Sequence, residues 1–178
     1  MDFVKNVKIS VIFTSKKPIQ WFVDIANERN VYCAQKRNIL SIRDIYSITI
    51  FQKLHNKYHL NVTRIKSINN INKVIKWIIK TYCDKKYFQL LLYKIDNITS
   101  TFDIKHYILL HTLANSIKHA SYNPERFHAV YLKYNDGTIV VFKSGKINIL
   151  GCKSLESILS LWRFIQKKIN VHIMNEIY

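Results

Sequence analysis

The stretch Asn123–Ser154, NPERFHAVYLKYNDGTIVVFKSGKINILGCKS, decides the fold of this chain. It contains three runs of alternating apolar and polar residues separated by short turns, a pattern typical of β-strands. In TIVVF, Ile139 and Val141 point to one face of the strand, and Val140 and Phe142 to the other. One face suits a hydrophobic core. The other is either part of an ordinary amphipathic hairpin or a surface that contacts a partner.

Outward from this stretch, the same order of elements occurs twice. In the first half the predicted strands are KNVKISVIF, ILSIRDI, SITIFQK and YHLNVTRIK, and the predicted helices are PIQWFVDIANE and NINKVIKWIIKTYC. In the second half they are the strand DNITSTFDI, the helix HYILLHTLANSIK, the strands HAVYLKY, TIVVFKS and KINILGC, and the helix LESILSLWRFIQKKI. Two helix-and-strand units with helices on one face of an antiparallel sheet are predicted.

The spacing of matching residues favours a duplication. Asn6 and Asn97 are 91 residues apart, as are Phe51 and Phe142, whereas the lysine–serine pairs that end at 67 and 154 are 87 apart. A constant offset that changes at one loop is expected for two copies of one fold. The alternative is two unrelated segments that happen to follow the same order.

The charge is strongly positive, with 28 Lys and Arg against 11 Asp and Glu, a formal net charge of +17. Such an excess favours a polyanion as partner, and nucleic acid is the commonest. A solubility feature, attraction to a membrane surface, and drift in a genome rich in A and T are the alternatives.

Several classes of function find no support in the sequence. Cys33, Cys83 and Cys152 are far apart and form no CxxC, which argues against a disulfide framework and against a zinc site. The apolar runs are too short to span a bilayer, and no signal peptide is apparent. No Ser–His–Asp order, Gly-rich phosphate loop or carboxylate cluster can be assembled. We therefore expect no enzyme, cofactor, metal site, small-molecule substrate or membrane partner.

The motifs NPERF, IVVF-x-SGK and GCKS, with DNITSTFDI before them, resemble the TATA-box-binding protein family. The first half matches more weakly, through KNVKISV, TIF and VTRIKS. The resemblance implies an α+β fold of the TATA-binding-protein-like saddle type: two pseudo-symmetric repeats forming one curved antiparallel sheet, with helices on the convex face. The expected repeats are residues 1–86 and 87–178, together one domain.

Members of this family bend DNA by inserting phenylalanines between base steps from the minor groove. The family is a standard example of this mechanism. The resemblance assigns this role to Phe51, Phe127 and Phe142. The first wedge of the first repeat has no clear counterpart; Arg37, Asn38 and Ile39 are nearest.

The resemblance also assigns the remaining contacts with A·T-rich double-stranded DNA. Minor-groove contacts are expected from Asn6, Lys8, Thr49, Asn61, Thr63, Asn97, Thr99, His128, Val140, Asn148 and Leu150. Phosphate contacts are expected from Arg43, Lys57, Lys66, Arg126, Lys133, Lys146 and Lys153. A stirrup loop containing Asn123, Glu125 and Arg126 is expected to bind an initiation factor resembling transcription factor IIB.

The predicted function is that of a general transcription initiation factor that kinks A·T-rich promoter DNA and recruits initiation factors and RNA polymerase. The alternative is a protein-interaction module that kept the saddle fold and lost specific DNA bending, because Lys8, Thr49, Asn61, Thr99 and Asn148 stand where the family has apolar residues. The expected location is the nucleus, or a cytoplasmic virus factory, since the bias towards Lys, Asn and Ile favours a large DNA virus as source.

Overall fold

The computed structural model describes residues 3–84 and 86–170. Contacts divide them into two compact units. The first unit is Asn6–Asp96, and the second is the described part of Met1–Lys5 together with that of Asn97–Tyr178. The predicted repeat boundary between residues 86 and 87 lies next to the start of a long strand, whereas the units divide within that strand. The predicted limits at residues 1 and 178 lie outside the described residues.

The first unit is a five-stranded antiparallel sheet with two helices. Its strand order is β2-β3-β4-β5-β1. The elements are β1 (Val4–Ser15), α1 (Ile19–Glu28), β2 (Tyr32–Lys36), β3 (Ile39–Arg43), β4 (Ser47–Gln52), β5 (Lys57–Ile65), a 3-10 turn (Ile68–Asn70) and α2 (Ile71–Tyr82).

The second unit repeats this plan. Its strand order is β6-β10-β9-β8-β7. The elements are β6 (Phe88–Asp103), α3 (Leu110–Ser116), β7 (Ser121–Asn123), β8 (Phe127–Tyr134), β9 (Gly137–Phe142), β10 (Lys146–Cys152) and α4 (Leu155–Ile169).

Each unit has its own core between the sheet and the helices. In the first unit α1 packs on β2 and β3, and Phe13, Phe22 and Tyr58 are almost fully buried, with 5.2 Å between the ring centroids of Phe13 and Tyr58. In the second unit α4 packs on β9 and β10, and Phe102 stacks on Trp162 with 4.2 Å between the ring centroids. Burial of core side chains, such as Phe13 and Phe22 in the first unit and Ile98 and Val141 in the second, is the main stabilising term in each unit.

The alternate positions of the strands form a second face that does not carry the core, which we call the open face of each unit. In the first unit it comprises Lys8, Ser10, Ile39, Ser41, Arg43, Thr49, Phe51, His59, Asn61 and Thr63, and in the second unit Thr99, Thr101, Phe127, Ala129, Tyr131, Lys133, Thr138, Val140, Phe142, Asn148 and Leu150.

The sequence missed two strands and misjudged the length of two other elements. β2 and β7 were not predicted. Both are mostly exposed and lie at the end of the strand order, where backbone hydrogen bonds to one neighbour form a strand without an apolar pattern. β6 begins at Phe88, eight residues before the predicted Asp96, and α3 spans only Leu110–Ser116 of the thirteen residues predicted. Within the described residues, none of the helices is both long and apolar enough to cross a membrane.

Candidate nucleic-acid interface

The open face of the first unit is arranged in rows by the strand register. Thr49 lies opposite Asn61, which lies opposite Ser10 on its other side. Phe51 is paired with Ile39 and with His59, and its ring centroid is 6.0 Å from that of His59. The predicted DNA-contacting residues of β4 and β5 are therefore neighbours on one surface.

The open face of the second unit has the same arrangement. Val140 is paired with Asn148 and with Tyr131, and Asn148 with Thr101. Val140 is only 3% exposed, so it offers little surface to a partner.

Aromatic side chains are concentrated in the second unit. Phe127 is 41% exposed, and its ring centroid is 6.0 Å from that of Phe142 and 5.1 Å from that of Tyr131. Ala129, paired with Phe142, is almost fully buried. The two predicted wedges of this unit thus lie side by side on the open face.

In the first unit an arginine stands at the position that corresponds to Phe127. In the second unit Phe142 is paired with Ala129, and Phe127 lies two residues before Ala129. In the first unit Phe51 is paired with Ile39, and the residue two positions before Ile39 is Arg37. Arg37 is exposed and has a φ of 52° in the turn between β2 and β3. The counterpart of the first wedge is therefore a turn arginine, with the exposed side chain of Ile39 beside it.

The two predicted asparagines make the same hydrogen bond in both units. The backbone N–H of Arg64 donates to Asn6 Oδ1 at 2.8 Å, and the backbone N–H of Gly151 donates to Asn97 Oδ1 at 2.9 Å. Arg64 and Gly151 have φ values of 68° and 83°, and each lies at a register shift of its strand pair. Matching β-bulges therefore orient both amides.

A second pair of asparagines also matches between the units. Ser10 Oγ lies 3.3 Å from Asn61 Oδ1, and Thr101 Oγ1 donates to Asn148 Oδ1 at 2.9 Å. Each amide oxygen thus lies beside a hydroxyl of its own unit.

All seven predicted phosphate-binding side chains are exposed. Arg43, Lys57, Lys133 and Lys146 lie at or near strand ends, while Lys66 and Lys153 directly follow β5 and β10. Arg126 shares an exposed turn with Asn123 and Glu125, in which the Glu125 N–H donates to Asn123 Oδ1 at 3.1 Å. Thr63, Thr99 and Leu150 are half-exposed. His128 is exposed, but it lies between Phe127 and Ala129 in β8, so strand alternation directs it away from the open face, contrary to its predicted groove contact.

Comparison with known proteins matches this geometry to one family. The family model "Transcription factor TFIID (or TATA-binding protein, TBP)" matches residues 92–172. The TATA-box-binding protein of Tetrahymena thermophila is 33% identical over 98 residues, which are 54% of this chain and 38% of that protein. That of Aeropyrum pernix is 27% identical over 117 residues, covering 61% of this chain and 55% of that protein. The Methanococcus jannaschii TBP structure aligns with a TM-score of 0.75 at 23% identity, covering 95% of this chain and 98% of that chain.

Over residues 92–172 this chain is similar to the TATA-box-binding protein family. The α+β class and the TATA-box-binding protein fold predicted from the sequence are confirmed. The family model lies within the second half, as the stronger motifs there predicted, whereas the structural match extends over both halves. The matched segments span from about two fifths to just over half of the length of the two relatives.

Sequence reasoning missed several open-face residues. His59 and Tyr131 share the face with Asn61 and Val140, and strand alternation alone would have identified both. His59 Nε2 is buried without a hydrogen-bond partner among the described residues. Asp96 was missed for another reason: its contacts with Ser10 and Lys8 are between strands and leave no local signal.

Proposed function

We propose that this protein is a non-enzymatic transcription initiation factor that binds A·T-rich promoter DNA through the minor groove. In this proposal the open faces contact the groove, phenylalanines kink the duplex, and exposed loops recruit an initiation factor resembling transcription factor IIB and RNA polymerase. It acts where DNA is transcribed, which in a nucleated cell is the nucleus. The match of residues 92–172 to the family model and the similarity to the TATA-box-binding protein of Aeropyrum pernix support the role in transcription.

The observation that carries the proposal is the orientation of Asn6 and Asn97. A backbone N–H can only donate, so the amide atom that faces Arg64 or Gly151 is the oxygen. The NH₂ group of each amide is thereby directed away from that backbone and is available to donate. A·T pairs present only the N3 and O2 acceptors in the minor groove, so two fixed donors suit them.

The aromatic pair of the second unit supports kinking. Unstacking a base step costs a few kcal/mol, which an inserted ring offsets by stacking while the opened groove covers more protein. Phe127 and Phe142 lie side by side and partly exposed. Phe51 is paired with Ile39 and His59 and not with a second phenylalanine, so the first unit is proposed to kink DNA less.

The surrounding cations support affinity without sequence preference. The exposed lysines and arginines at strand ends neutralise phosphates and position the protein. The exposed turn of Asn123, Glu125 and Arg126 is proposed to bind the initiation factor, with Glu125 as its acidic contact.

A fluorescence-based bending assay on an A·T-rich duplex labelled at both ends tests this proposal. The parent protein is expected to bring the ends together, Phe127→Ala and Phe142→Ala to lose most of that change, and Phe51→Ala to lose less. Phe164→Ala in α4 is the matched control and should bend DNA as the parent does. Bending that persists in Phe127→Ala and Phe142→Ala would refute the assigned wedges.

A second candidate is an interaction module that no longer bends DNA. The hydrogen bond from Thr101 to Asn148 favours it, because it occupies an amide oxygen that could otherwise contact a base. In the same assay, a parent protein that leaves the duplex straight while binding an initiation factor would favour this candidate.

A further inference from the structure

A carboxylate lies on the open face of the first unit, among groups that otherwise donate hydrogen bonds. Ser10 Oγ donates to Asp96 Oδ2, and the same hydroxyl is within 3.3 Å of Asn61 Oδ1. Lys8 Nζ is 3.8 Å from the same carboxylate oxygen. These contacts with Ser10 and Lys8 place the Asp96 carboxylate beside the open face.

The position of Asp96 differs between the two repeats. The residue 91 positions earlier is Lys5, so a cation in the first repeat corresponds to an anion in the second. Asp103, another acidic residue of β6, is the last residue of that strand, and its Oδ1 accepts from the Lys105 N–H at 2.9 Å. Asp103 thus serves a local turn, whereas Asp96 lies among the open-face side chains.

The contacts of Asp96 leave it able to accept further hydrogen bonds. An ionised carboxylate has about four acceptor positions, and Ser10 occupies one of them. The ammonium groups of Lys8 and Lys94 are 3.8 and 3.6 Å away, beyond hydrogen-bond distance, and the Asp96 side chain is 20% exposed. The lysines offset its charge without filling its lone pairs.

An acceptor at this place is poorly matched to an A·T pair. Adenine N3 and thymine O2 are acceptors too, so a carboxylate pressed against them loses water and gains no hydrogen bond. The 2-amino group of guanine is the one base donor in the minor groove. A hydrogen bond from this group to a carboxylate is charge-assisted and therefore strong.

We infer that Asp96 is a specificity-determining residue that selects a G·C pair at one position within an otherwise A·T-rich site. This inference rests on the proposed function, since it requires the open face to meet the minor groove. If Asp96 instead served only to hold Lys8 and Lys94, binding would not depend on the 2-amino group at any position.

Binding to a set of duplexes that differ in one minor-groove amino group tests this inference. At each position of an A·T-rich site, an A·T pair is replaced by 2,6-diaminopurine·T, which adds the 2-amino group, and in parallel by G·C and by inosine·C, which lacks it. For the parent protein, we expect the duplexes with the amino group to bind roughly tenfold more tightly at one position and more weakly at the others.

Asp96→Asn should abolish this preference, and Asp103→Asn, the matched change at the strand end, should keep it. Thermal unfolding checks that both variants fold, and the comparison of duplexes with the parent protein does not depend on any variant. An amino group that weakens parent binding at every position, or a preference that survives Asp96→Asn, would overturn the inference alone. Absence of any preference for A·T-rich over mixed duplexes would overturn the proposed function and this inference together.

Discussion

Two asparagines are held by backbone groups in equivalent places of the two units. The donors, Arg64 N–H and Gly151 N–H, belong to residues with left-handed backbone at β-bulges. The bulge directs an N–H that would otherwise belong to the ladder toward the side-chain oxygen. The proposed role of Asn6 and Asn97 therefore depends on the backbone as much as on the side chains.

Replacing the amide NH₂ while keeping the oxygen separates binding from folding. Asn97→Asp retains an acceptor for Gly151 N–H but loses both donors and adds a charge. We expect affinity for an A·T-rich duplex to fall on the order of tenfold or more, with little change in the thermal midpoint. Asn115→Asp in α3, exposed and carrying the same charge change, is the control. Equal affinities of Asn97→Asp and Asn115→Asp would contradict the donor role.

Asp44 links three elements of the first unit on the helix side. Tyr82 Oη at the end of α2 donates to its carboxylate at 2.6 Å, and Arg29 Nη2, just after α1, donates at 3.1 Å. Burial alone would raise the pKa of Asp44, but the hydrogen bonds from Tyr82, the Ile45 N–H and Arg29 outweigh it and lower this pKa. The folded state therefore favours the ionised carboxylate.

This lowered pKa makes part of the stability depend on pH. Because the folded-state pKa lies below the unfolded value near 4, the contribution is complete above that value and is lost as pH falls below it. We expect Asp44→Asn to reduce the free energy of unfolding by about 2 kcal/mol at pH 7. Urea denaturation at several pH values should show this difference shrink below about pH 4, whereas the exposed Asp24→Asn changes little. A difference independent of pH would contradict the account.

At the scale of elements, the turn between β9 and β10 requires glycine. Gly145 has a φ of 85°, and a Cβ on it would overlap the carbonyl oxygen of His106. Gly151 has a similar φ of 83°, but its Cβ would lie 3.8 Å from the nearest atom, Gly137 Cα. The first unit places Arg64 at the bulge that corresponds to Gly151, so a side chain is tolerated there.

This contrast predicts different costs for the same substitution. Gly145→Ala should lower the free energy of unfolding by about 2–3 kcal/mol. The backbone strain of an alanine at positive φ adds to the overlap of its Cβ with the carbonyl oxygen of His106. Gly151→Ala should cost only about 1 kcal/mol. Urea denaturation of both variants measures the difference, and equal costs would show that the overlap is relieved by movement of the His106 loop.

Element prediction succeeded where alternation was strong. The core positions of β4, β5 and β9 followed from a period of two, since Ile48, Leu60 and Ile139 are buried as the pattern requires. It failed for the exposed strands β2 and β7, whose pairing depends on backbone groups that no side-chain pattern reveals. The bulges could not be predicted either, because Arg64 gives no sign of a left-handed backbone.

At the scale of the whole molecule, the charge of +17 sets the response to salt. If all seven predicted cations contact phosphates, the logarithm of the binding constant should fall with the logarithm of salt concentration with a slope of about −6. Lys146→Ala should reduce the magnitude of this slope by about 1 and weaken all duplexes alike. Lys73→Ala on the exposed side of α2 should leave it unchanged. Equal slopes for Lys146→Ala and the parent would remove Lys146 from the interface.

The positions of the candidate site residues could be predicted from the sequence, but the contacts between their side chains could not. Repeat spacing and the family resemblance predicted Asn6, Asn97, Phe127 and Phe142. The carboxylate of Asp96 was not predicted, because its neighbours Ser10 and Lys8 are distant in sequence. The two repeats share the order of their strands, whereas surface residues such as Lys5 and Asp96 differ between them.

Minor-groove recognition by the open faces is best tested with a duplex whose major groove is changed while its minor groove is kept. Replacing every A·T pair of a bound duplex by inosine·C keeps the minor-groove acceptors and changes the major-groove pattern. We predict that affinity and bending of the inosine·C duplex stay close to those of the A·T duplex. Loss of binding and bending on the inosine·C duplex would contradict minor-groove recognition.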